Sequence, residues 1–280
     1  MKLTDVRIPV DLANPGQFFS CCGLFELAAR LWPGSVGFFG GDCFVMQVSR
    51  QEAGLQTLLR VFKDAPLLGD SDASEEDGDD AGGGEGEEED SGLATPMMLG
   101  EPFDLRLDWW ADKALKPWAG TMNAKVIFES MRAAVDPVQV DPFGDLRVVY
   151  APPDPTKPKA KAKKREPFYF DARRGGSAKS IDLGFAPDAI QMPSAACPAV
   201  EALTLVGLQR FRPMPTDRPR TFEYRAWATP LPLTVAALAA CCRLHGVVGP
   251  RFRFENGFRT DQRKHKGFLP AVRLNEGDAQ

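Results

Sequence analysis

Histidine is scarce in this sequence, and the usual marks of catalysis are missing. Only His245 and His265 occur in 280 residues. The six cysteines, Cys21-Cys22, Cys43, Cys197 and Cys241-Cys242, form no CxxC pair and no spacing that joins them to a histidine, so no metal site and no cofactor is expected. There is no GxxxxGK[ST], no GxGxxG after a strand, no GxSxG and no HExxH. Gly82-Gly83-Gly84 stands among carboxylates that would repel a phosphate, and Asp104, Asp108 and Asp112 are scattered acids without a partner motif for a two-metal nuclease. No apolar run reaches 18 residues and MKLTDVRIPV lacks the core of a signal peptide, which points away from membranes; thiols in apolar segments suit a reducing cytoplasm.

The net charge of −4 conceals a basic body. Asp70 to Asp90 carries 12 carboxylates and no Lys or Arg; without it 34 basic residues face 26 acidic ones, a net of +8. A Gly-Asp-Glu tract of this kind is too polar to bury and too self-repelling to fold. A second tract, Pro152 to Arg165, holds six cations among the nine residues from Lys157 to Arg165, and its prolines favour an extended arm. The expected organisation is therefore residues 1–69 as an N-terminal α+β part, 70–92 as a disordered acidic tract, 93–151 as a central strand-helix part, 152–166 as a basic Pro/Lys linker, and 167–280 as a C-terminal α+β nucleic-acid-binding part.

Between these tracts the patterning predicts an α+β fold of mixed strands with three to four buried helices. Leu3 to Val10 reads as a strand, and Asn14 caps a helix that starts with Pro15 and runs to about Trp32, apolar on most of its circumference. Val36–Phe39 and Cys43–Val48 read as a hairpin over Gly40-Gly41-Asp42. A short helix near Gln51–Phe62 follows. Phe103–Trp109 alternates as a strand, Thr121 is set to cap a helix over Met122–Val135, and Phe168-Tyr169-Phe170 reads as an aromatic strand entering a Gly-rich basic turn. Helices are expected from Pro198 to about Gln209 and from Leu233 to Leu244, where His245 would cap or join the core, and a strand over Thr221–Ala228.

The candidate binding residues are cations interleaved with rings. In PRFRFENGFRTDQRKHKGF, Arg251, Arg253, Arg259, Arg263, Lys264 and Lys266 outnumber Glu255 and Asp261, with Phe252, Phe254, Phe258 and Phe268 between them. Such a mixture suits nucleic acid, since cations release counterions from phosphates and planar groups stack on bases. The alternation in RFRF puts the arginines on one strand face and the phenylalanines on the other. Arg173, Arg174 and Lys179 around Gly175-Gly176 form a second candidate. For reading a short sequence motif, the candidates are Lys116, Trp118, Thr121 and Asn123, from a loop entering a helix N-terminus. Two rival readings stay open: a metal-independent ribonuclease using His265 with Lys264 or Lys266, and a structural subunit that contacts only protein.

Four strings, NPGQFFSCCGLFELAARLWPG, FYFDARRGGSAKSIDLGFAPD, PAVEALTLVGLQRFRP and RFRFENGFRTDQRKHKGFLPA, together resemble the short large-subunit (Csb-type, Cas large subunit) family of type I-G, formerly I-U, CRISPR-Cas effector complexes. The resemblance covers nearly the whole chain apart from the acidic tract. It implies a non-catalytic subunit of a crRNA-guided complex, placed beside RAMP-type backbone subunits and the subunit holding the crRNA 5′ end. Such a subunit would recognise the motif flanking target double-stranded DNA and keep the strands apart while a recruited helicase-nuclease cuts. Large subunits of other type I systems are often longer and end in a helical bundle for which this chain has no room.

Overall fold

The computed structural model describes residues 4–49, 54–68, 96–118, 122–152, 162–175, 195–259 and 265–275. The acidic tract, most of the Pro/Lys linker and the candidates Thr121, Lys179, Arg263 and Lys264 lie outside them. The chain begins with β1 (Thr4–Pro9), α1 (Pro15–Leu31), β2 (Val36–Gly40), β3 (Cys43–Val48) and α2 (Leu55–Asp64). Next come β4 (Leu67–Leu68), β5 (Met97–Leu99), β6 (Leu105–Leu107), a 3₁₀ turn (Trp109–Ala111), α3 (Ala124–Ala134) and α4 (Ala172–Gly175). The remainder is α5 (Pro198–Gly207), β7 (Met214–Pro215), β8 (Thr221–Arg225), β9 (Leu231–Pro232), α6 (Leu233–Ala240), β10 (Arg251–Phe258), β11 (Lys266–Phe268) and β12 (Val272–Leu274). The fold is α+β, with three antiparallel sheets ordered β1-β3-β2-β9, β11-β10-β8-β7 and β4-β5-β6; β12 also pairs with β10.

The long helix α1 organises the interior. Asn14 caps it as its spacing predicts, with the side-chain oxygen accepting from the N–H groups of Gly16 and Gln17 and Pro15 in the first turn. Because its sequence is apolar nearly all round, it is buried on every side rather than along one stripe. Phe18 stacks on Phe39 of β2 and on Tyr224 of β8, while Phe25 meets Phe44 of β3, so one helix packs against two sheets. Its remaining side meets α5 at very short range. A Cβ on Gly23 would collide with the Leu203 carbonyl, and one on Gly207 with the Phe19 carbonyl. Hydroxyls fill the seam: Ser20 Oγ donates to the Val200 carbonyl at 3.0 Å, and Thr204 Oγ1 to the Gly16 carbonyl at 2.8 Å.

Several boundaries differ from the pattern-based expectation. The strand over Phe103–Trp109 shrinks to Leu105–Leu107: Asp104 takes a left-handed conformation with φ 45°, and the chain turns at Trp109, whose Nε1 donates to the Leu205 carbonyl. Asn123, not Thr121, caps α3, accepting from the N–H groups of Lys125 and Val126. The aromatic segment Phe168–Phe170 is no strand. Tyr169 has φ 68°, and its neighbours spend their N–H groups on a side chain: those of Phe170 and Asp171 donate to the buried carboxylate of Glu201 at 3.3 and 3.2 Å. Burial, then the charge of Asp171, pushes the Glu201 carboxyl up to about 7. α6 ends at Ala240, four residues short of Leu244, because Cys242 adopts φ 56°; His245 is consequently exposed and belongs neither to a helix end nor to the core.

Among the described residues no helix is long and apolar enough to cross a membrane. No group of three or more His, Cys, Asp or Glu among them is placed to hold a metal ion. The six cysteines are free, and burial raises the thiol pKa of Cys21 and Cys22 in α1.

Candidate nucleic-acid interface

The alternation read in RFRF is realised in β10. Phe252 and Phe254 lie in the core against Tyr224, and Arg251 and Arg253 occupy the opposite face. Those arginines already share an acid. Arg253 pairs in register with Glu223 of β8, whose buried carboxylate accepts from Arg253 Nε and Nη2 at 2.9 and 2.6 Å and from Arg251 Nη2. One buried charge thus holds two guanidinium groups. A lone Glu between Phe222 and Tyr224 in an alternating strand was the available clue, but the β8–β10 register that brings it to the arginines is not local.

Arg259 lies on that same outer face and is buried. Its guanidinium sits 3.2 Å from the centroid of the Tyr169 ring, and its stem covers Gly267 of β11. Arg174 approaches the same ring at 5.1 Å and donates to the Ala195 carbonyl, while the Tyr169 hydroxyl donates to Glu166 at 2.7 Å. Burial pushes the Glu166 carboxyl up, but hydrogen bonds from Lys164 and Tyr169 and the charges of Lys164 and Arg174 outweigh it, leaving the pKa below its ordinary value. Arg173 turns inward as well, its Nε 2.9 and 3.0 Å from the two carboxylate oxygens of Asp171 and its Nη2 donating to the Phe143 carbonyl. The expected arginine-bearing turn is therefore anchored to the body at both of its described arginines.

The other face of the β10–β11 pair joins two segments that the sequence offered as separate candidates. Asn256, fully buried in β10, donates from Nδ2 to the carbonyls of Ala114 and Leu115, both at 3.1 Å, and of Lys116 at 3.4 Å. Lys266 of β11 donates its backbone N–H to the Pro117 carbonyl at 2.9 Å and its ammonium to the Lys113 carbonyl at 3.0 Å. The loop of residues 113–118 is thereby clamped onto the hairpin. Trp118 is core, not a free wedge: its ring lies 4.7 Å from Phe168 and 5.8 Å from Trp109, with Lys116 Nζ 5.5 Å above it. Asn123 spends its side-chain oxygen on the α3 cap.

Arg220 completes this face. It precedes β8 at φ 58°, its carbonyl accepts from Asn256 N–H at 2.9 Å, and its guanidinium lies 4.5 Å from the ring of Phe258, the residue paired with Lys266. Lys116, Arg220 and Lys266 are close enough that burial first, then the charges of Arg220 and Lys116, lower the Lys266 pKa, with Asp112 opposing. The described members of the six-cation segment thus fall on two faces: Arg251, Arg253 and Arg259 outside, Lys266 with Lys116 and Arg220 on the other. A group of like charges beside a half-buried ring is what a polyanion relieves.

The chain matches no protein-family model, no curated protein and no solved structure.

Sequence reasoning missed Arg220 and Asn256. Arg220 stands outside the C-terminal basic segment and Asn256 is an uncharged residue within it, and only the register of β8, β10 and β11 brings them to Phe258 and to the 113–118 loop.

Proposed function

We propose that this chain is a non-catalytic large subunit of a crRNA-guided type I CRISPR surveillance complex, acting in the cytoplasm to hold target DNA beside the motif that flanks it. The observation that carries the reading is the clamp at Asn256, which unites the 113–118 loop with the basic β10–β11 hairpin and brings Lys116 and Arg220 within electrostatic reach of Lys266, the strand partner of Phe258, whose ring Arg220 covers. Cations positioned by backbone hydrogen bonds present a fixed charge pattern to phosphates, and the favourable term is counterion release. The four sequence strings supply the rest of the reading: partnership with RAMP-type backbone subunits, with the crRNA 5′-end subunit and crRNA, and with a helicase-nuclease that cuts. Base pairing would read the target while this subunit contacts the flanking duplex and the opened strands.

The test is reconstitution. Co-expression with the backbone subunits, the 5′-end subunit and crRNA is expected to yield a complex that contains this chain and binds target DNA, with a salt slope about 0.7 to 0.9 shallower for each phosphate contact removed in Lys116→Gln and Lys266→Gln. A complex that assembles and binds target equally well without this chain would refute the reading.

A further inference from the structure

Of the phenylalanines in the basic C-terminal segment, Phe252, Phe254 and Phe268 are buried in the core, whereas Phe258 stands half-buried at the end of β10. Its ring is covered by a planar, movable group. Arg220 lies over it at 4.5 Å with about a third of its side chain exposed, and the exposed carboxylate of Glu255 already pairs loosely with Arg220 Nη2 at 3.9 Å, an anchor the guanidinium can keep if it leaves the ring. Among the described residues the buried Nε of Arg220 has no hydrogen-bond partner, so one donor at this site can take the acceptor that a phosphate or base edge would provide. Backbone hydrogen bonds from Asn256 to Arg220 and from Lys266 to Pro117 fix Arg220 beside β10 and tie Lys266, the strand partner of Phe258, to the loop that carries Lys116. Tyr169, which receives the guanidinium of Arg259 from the end of β10, is closed by contrast: its ring is buried, with Arg259 seated 3.2 Å from its centroid.

We propose that Phe258 is the stacking seat for one unpaired base of a single-stranded nucleic acid, with Lys116, Arg220 and Lys266 holding the phosphates on either side of it. A duplex buries its base faces against one another, whereas a single strand offers one per nucleotide, and stacking on an aromatic ring tolerates any base. Arg220 moves from the ring to the outer face of the base or to Glu255, exchanging a cation–π contact for stacking and for a charge-assisted hydrogen bond. The site therefore takes the unpaired strand, DNA or RNA, while duplex contacts fall elsewhere on the surface. This inference rests on the nucleic-acid-binding reading above.

The experiment is fluorescence anisotropy of the full chain with oligo-dT, oligo-U and a DNA duplex of equal length, across a range of salt. Phe258→Leu is expected to weaken whichever single strand binds by about tenfold or more at unchanged salt slope. Phe258→Tyr is expected to keep wild-type affinity, and duplex binding to stay the same in both variants. Lys116→Gln and Lys266→Gln should each flatten the single-strand salt slope by about 0.7. The tighter of oligo-dT and oligo-U names the natural strand. Single-strand binding indifferent to Phe258→Leu, or lost to the same degree as duplex binding, overturns this inference alone; a wild-type chain that binds none of the three probes overturns it together with the reading on which it rests.

Discussion

Replacing Glu201 with glutamine should abolish a specific part of the protein's pH dependence. The carboxylate is fully buried in the first turn of α5, accepts from the N–H groups of Phe170 and Asp171, and faces two charged groups, Asp171 and Arg174. Burial and Asp171 raise its pKa from 4.5 to about 7, against the pull of the two N–H groups and of Arg174. The folded chain therefore keeps a proton that the unfolded chain releases between pH 4.5 and 7. Stability from this group is fully present below pH 4.5 and is lost as the pH climbs through 7. At about 1.36 kcal/mol for each pH unit of displacement, the loss approaches about 3 kcal/mol. Glu166, whose pKa is lowered instead, contributes above 4.5 and loses its contribution only at lower pH, outside this window. The glutamine amide would keep an acceptor for a backbone N–H and would not titrate. Urea unfolding of both proteins at pH 5 and pH 8 is the assay: relative to wild type, Glu201→Gln should gain about 2 to 3 kcal/mol in going from the lower to the higher pH. An offset between the two proteins that is the same at both values would refute the assignment.

Other substitutions probe the remaining layers. Gly23→Ala drives a methyl into the Leu203 carbonyl and should cost at least about 1 to 3 kcal/mol by denaturant titration, with Gly207→Ala behaving alike; a wild-type midpoint for both would mean that α1 and α5 do not touch there. Trp118→Ala should lose about 3 to 5 kcal/mol of stability as a core truncation, and a variant of wild-type stability that loses only nucleic-acid binding would restore Trp118 as a contact residue. Glu223→Gln should cost about 2 kcal/mol by removing a charged acceptor from Arg251 and Arg253, and should steepen the salt dependence of DNA binding as both guanidiniums become available. An unchanged slope in that variant would show that the outer face of β10 meets no phosphate.

Local grammar was legible in the sequence; charge pairing was not. The Asn14-Pro15 start of α1, the hairpin over Gly40-Gly41-Asp42 and the in-out alternation of RFRF each depend on neighbours within a few residues, and each is present. Asn123 displaced Thr121 as the α3 cap because either side chain can serve and tertiary placement decides where the helix enters. The aromatic run at Phe168–Phe170 has strand composition, yet its hydrogen bonds go to Glu201, thirty residues onward in the chain. Similarly, a count of positive charges could not distinguish Arg251 and Arg253, both held by Glu223, from Arg220, which lies over the Phe258 ring with Glu255 beside it, and from Lys266, within electrostatic reach of Arg220 and Lys116.

The α1–α5 seam has a consequence for the newly made chain. Ser20 and Val200, which meet across it, are separated by 180 residues, so at a synthesis rate of about 5 to 20 residues per second α1 leaves the ribosome roughly 10 to 40 seconds before its partner exists. During that interval a helix apolar nearly all round has neither α5 nor the β8–β10 sheet to cover it. The sheet of β1, β3 and β2 can shield one side, but the face bearing Ser20 and Gly23 must wait. Expression at lowered temperature or with added chaperone should therefore raise soluble yield more for this chain than for a protein whose central helix closes against a sequence neighbour.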